Sequence, residues 1–366
     1  MIPSIPIALP DEHAIGILGR LARQNGLTSR NQMIRALRAN STDQGNVPLL
    51  WLIGEAIGTS KFKIETEHSM LPAHFPMNRY SDNPESTTKR AGLVGYRGLL
   101  PANTMCWCPS CRDIDTAAHG FSYWRRLHQL PGIDWCRKHL RPTIQTPIEM
   151  TFFVPGHKNT HGPLSVSYVE METEIHDPVI VRLEKILTSW LQLPVPYPIA
   201  AWTKVVSEAC QKVNLRIGEI GKRPVVSDLI REQFPQSWLL RYMPEVVDKK
   251  PATYIRKIDG ATQDKHLAYP ALTCAAILAV LFDNADEALT ALKCSDKVPN
   301  HLTDTTQMAI AAFRNGISLV EACSISGANI SNVEAALRQQ LKTGAISIRQ
   351  RQVQAEFRSS PLNASI

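Results

Sequence analysis

The sequence predicts a mainly α-helical protein built from several domains. Three observations carry that expectation. Apolar residues recur at helical spacing along most of the chain, as in Val181, Leu183, Ile186, Leu187 and Trp190. A length of 366 residues with 44% hydrophobic content exceeds one ordinary domain and is enough for real cores, which suggests two or three domains. Two ligand-rich knuckles interrupt the helical pattern, Cys108-Pro-Ser-Cys111 and, after twenty-four intervening residues, Cys136-Arg-Lys-His139.

Each knuckle has a two-residue spacer, so both of its side chains can grip one ion from a tight turn while the insert folds back to join the pairs. The expected cofactor is one tetrahedral, structural zinc held by Cys108, Cys111, Cys136 and His139. Four protein ligands leave no open position for chemistry, and such a site can contribute roughly 10–16 kcal/mol of apparent folding free energy. Pro109 stiffens the first knuckle. Cys106 and His128 compete for a ligand position, but Cys106-x-Cys108 is a poorer bite than Cys108-x-x-Cys111. In the insert 118–133, Tyr123, Leu127 and Leu130 fall on one face of an expected helix, with Arg125, Arg126 and Gln129 off it.

The chain opens with a helical module. Asp11 is placed to cap a helix lined by Ile15, Leu18 and Ala22, and Gly26 offers a left-handed stop. Thr28 or Ser29 caps a second helix lined by Met33, Ile34 and Leu37, and a third runs from Pro48 to Ile57 before Gly58. Three short helices fit either a helix-turn-helix or a plain bundle that makes a protein contact. After the zinc segment, Met150 to Val154 and Leu164 to Val169 are rich in β-branched and aromatic residues, with a turn-forming stretch between them, and predict a β-hairpin. His157 and His161 lie in that turn and read as solvated. Helical patterns then return: a stripe through Trp190, a helix from Trp202 to Val213, another from Ser227 to Met243, and an apolar run from Pro270 to Phe282 that predicts a buried central helix.

The C-terminal part carries a second informative pattern. Asp304 with Gln307, Ser318 with Glu321, and Ser331 with Glu334 can cap three successive helices, and Gly327 sits in the last turn. Ala322, Val333 and Leu337 are the inward residues of a helix-turn-helix. Its third helix would offer Asn332, Arg338 and Gln339 to base edges, each good bidentate pair being worth roughly 1–3 kcal/mol of discrimination. Lys342, Arg349 and Arg351 then continue towards phosphates. The expected domains are a helical module over 1–100, a zinc-finger segment over 101–145, a β-hairpin and linker over 146–176, a helical domain over 177–300, the helix-turn-helix over 301–345 and a basic polar tail over 346–366.

Several classes are excluded. A net charge of +7 permits a polyanion partner without requiring one. Eight cysteines, four in the knuckles and Cys210, Cys274, Cys294 and Cys323 scattered singly as expected core thiols, do not form a secreted disulfide frame. The N-terminus has no basic region before its apolar residues, and the longest apolar run is far short of the roughly 20 residues a membrane span needs, so a cytoplasmic location and no membrane partner are expected. Gly218-Glu-Ile-Gly221-Lys222 is too tightly spaced for a phosphate loop, and Arg223 stands where Ser or Thr would bind magnesium. No catalytic constellation is present, and the chain reads as a non-enzyme.

The knuckle Cys-Pro-x-Cys, the aromatic-Trp-Arg segment running into His128-Gln-Leu-Pro-Gly-Ile133, and Trp135-Cys-x-x-His139 together resemble the zinc segment of the TniQ/TnsD family. Leu9-Pro-Asp-Glu12 with the following helix, and His266-Leu-Ala-Tyr-Pro270, are similar to further family segments. Those proteins select target sites for bacterial transposons. The resemblance implies a bacterial, DNA-associated, non-catalytic role with double-stranded DNA, the transposition ATPase and the transposase as partners. Some members instead act as adaptors, including dimers docked on an RNA-guided Cascade complex, without reading sequence themselves; a zinc-containing transcriptional regulator is the alternative from another class. Many relatives carry a second Cys-x-x-Cys pair, but residues 140 to 209 contain no cysteine, so a single zinc is expected.

Overall fold

A computed structural model describes residues 4–41, 47–78, 103–263 and 269–295, together with parts of 308–337. Met1–Asp296 form one compact unit and Lys297–Ile366 a second. The first unit begins with a bundle of α1 (Ala14–Gln24), α2 (Arg30–Asn40), α3 (Leu49–Ala56) and α4 (Lys61–His68). Ile17, Leu18, Leu21, Met33, Leu37, Leu50, Ile53 and Ile64 fill its core. Ser29 accepts the backbone N–H of Gln32 at the start of α2, and Gly26 adopts φ 67 after α1, both as the sequence predicts. The cap of α1 is different. His13 takes that role, its Nδ1 accepting the N–H of Ile15 at 3.2 Å, while Asp11 turns away with φ 59 and accepts the N–H of Leu127 instead.

Short hairpins are present, but other residues form them. β1 (Thr104–Trp107) pairs antiparallel with β4 (Ile144–Pro147), and β2 (Trp135–Cys136) with β3 (Arg141–Pro142). The two segments expected to pair with each other after the zinc segment do not: Ile148–Phe152 is a 3-10 helix, Leu164 bridges Ile144 instead, and Tyr168–Ile175 is the α-helix α6. Local capping outweighs β-propensity there, because Ser167 and Glu170 close a reciprocal capping box on α6. α5 (Pro109–His119) lies between β1 and β2.

The larger core of this unit is helical. α7 (Pro178–Leu191) is capped by Asp177 and buries Leu183, Ile186, Leu187 and Trp190, while Val181 of the expected stripe faces solvent. α8 (Ile199–Lys212) follows. The single helix expected from Ser227 to Met243 is two, α9 (Val226–Gln233) and α10 (Gln236–Tyr242). Pro235 breaks it by lacking an N–H and by forcing Phe234 into extended backbone, with ψ 144. α11 (Ala271–Leu281) is buried around its circumference, as its apolar run predicts, and packs against α7, α8 and α9. α12 (Ala285–Ser295) completes the layer. Cys210 and Cys274 are core thiols, but Cys294 is exposed, because Ala285, Ala288, Leu289 and Leu292 set the buried face of α12 elsewhere.

In the second unit, Ala309, Ile310, Cys323, Val333 and Leu337 share a small core with Phe313, Leu319 and Ala328 packed on it. α13 (Leu319–Ser326) begins where Ser318 accepts the N–H of Glu321 at 3.3 Å. No helix among the described residues is long and apolar enough to cross a membrane.

The buried cap of α1 makes a prediction. His13 is fully buried with Nε2 unpartnered, and desolvation pushes its imidazole from 6.5 down to about 3. The unfolded chain therefore takes up a proton that the folded chain refuses, so this contribution to stability is complete above about 6.5 and is lost progressively as pH falls towards about 3. His13→Asn, which keeps a capping acceptor, should flatten part of the acid-side decline in urea-denaturation stability; an unchanged slope between those pH values would refute the assignment.

Candidate metal centre

The two knuckles are built by different elements. Cys108 is the N-cap of α5, with Pro109 at the first helical position, where a fixed φ suits the helix and a missing N–H costs nothing. Cys111 then sits in the first turn, where the helix N-terminus favours a thiolate. Cys136 ends β2, and the N–H groups of His139 and Leu140 both turn back to its carbonyl, at 3.2 and 2.8 Å. Leu140 takes φ 44 to close that turn into β3.

The structure brings Cys108, Cys111, Cys136 and His139 together, with one donor atom from each lying within 4.8 Å of the others. The Cys111 and Cys136 sulfurs are 3.6 Å apart, and His139 Nδ1 lies 3.5, 3.4 and 3.5 Å from the sulfurs of Cys108, Cys111 and Cys136. A tetrahedral ion with sulfur about 2.3 Å and nitrogen about 2.0–2.1 Å away spaces its ligands roughly 3.5–3.8 Å apart. The donor set therefore fits a metal ion. Its electrostatics agree: hydrogen bonds from Cys111 and Cys136 hold the Cys108 thiol far below the usual range, whereas the contacts with Cys108 and Cys136 push the Cys111 thiol up. Three thiols this close resist joint ionisation unless a cation compensates them.

The competing donors lie outside this group. Cys106 lies on β1 with its sulfur 3.6 Å from Ser165 Oγ, and burial raises its thiol. His128 approaches one sulfur alone, Nε2 lying 3.6 Å from Cys111 Sγ, and burial pushes its imidazole down to about 4. His157 stacks on Phe153 with ring centroids 4.3 Å apart, and His161 meets the edge of Trp107, so neither joins the cluster.

The insert is where sequence reasoning failed. Residues 120–125 are extended or turn, and only Arg126–Gln129 makes a 3-10 turn, so the expected helical face does not exist. Leu127 is half exposed, whereas Arg126 and Gln129 are buried. Gln129 replaces a strand partner for Cys106: its Oε1 accepts the backbone N–H at 2.9 Å and its Nε2 donates to the carbonyl at 2.8 Å. Arg126 donates to the carbonyls of Thr66 and Ser69 and pairs with Asp11 at 3.3 Å. His13 N–H donates to the carbonyl of Trp124, and Tyr123 Oη donates to that of Pro10. Glu12 receives Arg20 at 2.5 Å and holds the turn that precedes α1.

On the opposite side, Gly132 adopts φ 78 beneath Trp238, whose Nε1 donates to its carbonyl at 2.9 Å. A Cβ there would stand 2.8 Å from Leu272 and 3.0 Å from Trp238, so only glycine fits. Asp134 accepts from Tyr242 Oη at 2.5 Å and faces Arg241. The clue to all of this was polar and glycine residues set within an aromatic, apolar stretch.

Asn332, Arg338, Gln339, Lys342, Arg349 and Arg351, the expected DNA-contacting residues, lie outside the described residues.

The family model named TniQ matches residues 3–142, so the amino-terminal part of the chain is similar to TniQ. That span takes in the helical bundle, the Leu9–Glu12 turn and all four clustered donors. No curated protein matches the chain.

Gln129 provides a local test. Gln129→Leu keeps the bulk but leaves the Cys106 N–H and C=O unpaired in a buried strand, at a cost of about 1–3 kcal/mol. Urea denaturation should show that loss while bound metal stays at the wild-type ratio; undiminished stability would show that water serves those groups equally well.

Proposed function

We propose that this TniQ-like protein is a non-catalytic adaptor of DNA transposition, which engages a target site or a complex bound there and recruits the ATPase and transposase to it. The observation that carries the reading is the TniQ match over residues 3–142, which includes the clustered knuckles. Zinc is the proposed ion, because three thiolates and one imidazole at tetrahedral spacing are its preferred donors. With no open coordination position, its role is to fix the fold. A cytoplasmic location goes with that role.

DNA contact is assigned to the second unit. Val333 and Leu337 pack inward, which is the register a recognition helix there requires. Asn332, Arg338 and Gln339 are proposed to meet base edges, and Lys342, Arg349 and Arg351 phosphates. The net charge of +7 is consistent with a polyanion partner.

Metal analysis of the purified chain should give about one zinc per chain, and Cys111→Ser should lose it and unfold more readily. Full metal retention by that variant would remove Cys111 from the ligand set. For DNA, binding to a candidate attachment-site duplex and to random duplex should be compared across a salt series. Direct reading predicts selective binding that Arg338→Ala weakens by about 1–3 kcal/mol. Weak binding indifferent to sequence would mean that specificity is borrowed from a partner, as for an adaptor docked on an RNA-guided complex.

A further inference from the structure

Beside the candidate metal centre lies a cavity of about 170 Å³, lined by Cys111 and Cys136 and by the apolar walls of Leu130, Ile133 and Trp135. Cavities of roughly 150 Å³ accept a benzene-sized group. Two large aliphatic side chains stand at its mouth, Ile114 at 45% exposure and Leu127 at 40%. The exposure of Leu127 is informative because Arg126 and Gln129, on the same turn, are buried: the chain hides the polar residues and leaves the apolar one in water.

The polar atoms around this cavity define what would complete it. Arg125 Nε, His128 Nδ1 and Thr188 Oγ1 are buried without a hydrogen-bond partner, and their residues all line it; His128 is more than nine-tenths buried. Arg125 Nε–H and the Thr188 hydroxyl can donate, so the walls call for an acceptor oxygen. The lining carries three cations, Arg125, Arg137 and Lys138, against one carboxylate, Glu184. Arg125 is held by Asp115 at 2.6 Å, and Arg137, largely exposed, is only loosely held by Glu184 at 3.6 Å. Lys138, also exposed, forms no ion pair with a carboxylate among the described residues. Charge complementarity therefore selects an anionic partner, and the apolar walls and mouth select one that also brings a large apolar side chain.

We infer that this cavity is a socket for a protein segment that inserts one leucine- or phenylalanine-sized side chain and flanks it with carboxylates. The inference rests on the adaptor reading for its biological role, and it deepens that reading by naming the chemistry of one partner surface. Duplex DNA satisfies the rim but not the apolar mouth.

The test uses the zinc-loaded full chain and a fluorescein-labelled pentapeptide, Asp-Glu-Leu-Asp-Glu, with blocked ends. Controls replace its leucine by alanine, or its four acids by lysine. Ile114→Trp, which fills the mouth, and Lys138→Glu, which reverses the rim, should each weaken binding about tenfold or more, with zinc content and melting temperature unchanged. Lys138→Glu lies on the surface and keeps the test open if the bulkier variant folds poorly. Binding by the leucine peptide alone, lost in both variants, supports the socket. No binding, equal binding of either control peptide, indifference to both substitutions, or displacement by a short random duplex overturns it. The readout is peptide binding and not transposition, so its failure leaves the adaptor reading standing, and failure of that reading leaves the peptide result intact.

Discussion

The segment that carries the knuckles is too short to bury a core of its own, and the rest of the first unit is arranged around that constraint. Ile15 of α1 packs with Met105, Trp107 and Trp124, so one face of the segment is completed by the amino-terminal bundle. Leu130, Ile133 and Trp135 belong instead to the large helical core, so the other face is completed from behind. The cluster of Cys108, Cys111, Cys136 and His139 lies between these two debts. A cation held there would neutralise thiolates that otherwise repel, and would fix the turn on each side at once.

Polar contacts then specify how the pieces meet. The amino-terminal seam consists of Asp11, Glu12 and His13 against Trp124, Arg125 and Arg126, largely through backbone groups. Arg23 and Arg30 extend it by donating to the carbonyls of Phe152 and Ile148. The carboxyl-side seam uses Trp238 on Gly132 and Tyr242 with Arg241 on Asp134. Burial raises the Asp134 carboxyl, and the bond from Tyr242 and the charge of Arg241 draw it back. Apolar packing alone tolerates sliding, whereas these directional contacts are satisfied in one arrangement.

Which features were legible in the sequence follows from how far each one reaches. The ligand spacing, the Ser29 cap, the stops at Gly26 and Gly58 and the buried run of α11 depend on neighbours within a few residues, and pattern finds them. The fate of the insert depends on partners that no window contains. Gly132 answers to Trp238, 106 residues away, and Arg126 to carbonyls about 60 residues back. A helical reading of 118–133 therefore put the wrong residues inside. Asp11 failed as a cap for the same reason, since Leu127 and Arg126 outbid the helix for its carboxylate. The strand read into 164–169 is cut short locally after the bridge at Leu164, because the Ser167–Glu170 box starts a helix where β-propensity suggested a strand, and 150–154 falls largely in a 3-10 helix.

The Gln-Leu-Pro-Gly stretch shows how one short motif can serve three neighbours. Gln129 completes β1 as a substitute strand, Leu130 enters the helical core, and Gly132 admits Trp238 where any side chain would collide. Moving any of the three displaces the chain that leads from α5 to Cys136, and so the spacing between the two knuckles. The metal centre is thus coupled to both flanking bodies through covalent chain as well as contacts. A protein proposed to hold two partners in fixed relation needs such coupling, because a compliant joint between its binding faces would let one be occupied without orienting the other. The buried arginines, the glycine without room for a Cβ and the clustered thiols are different physical means of removing that compliance.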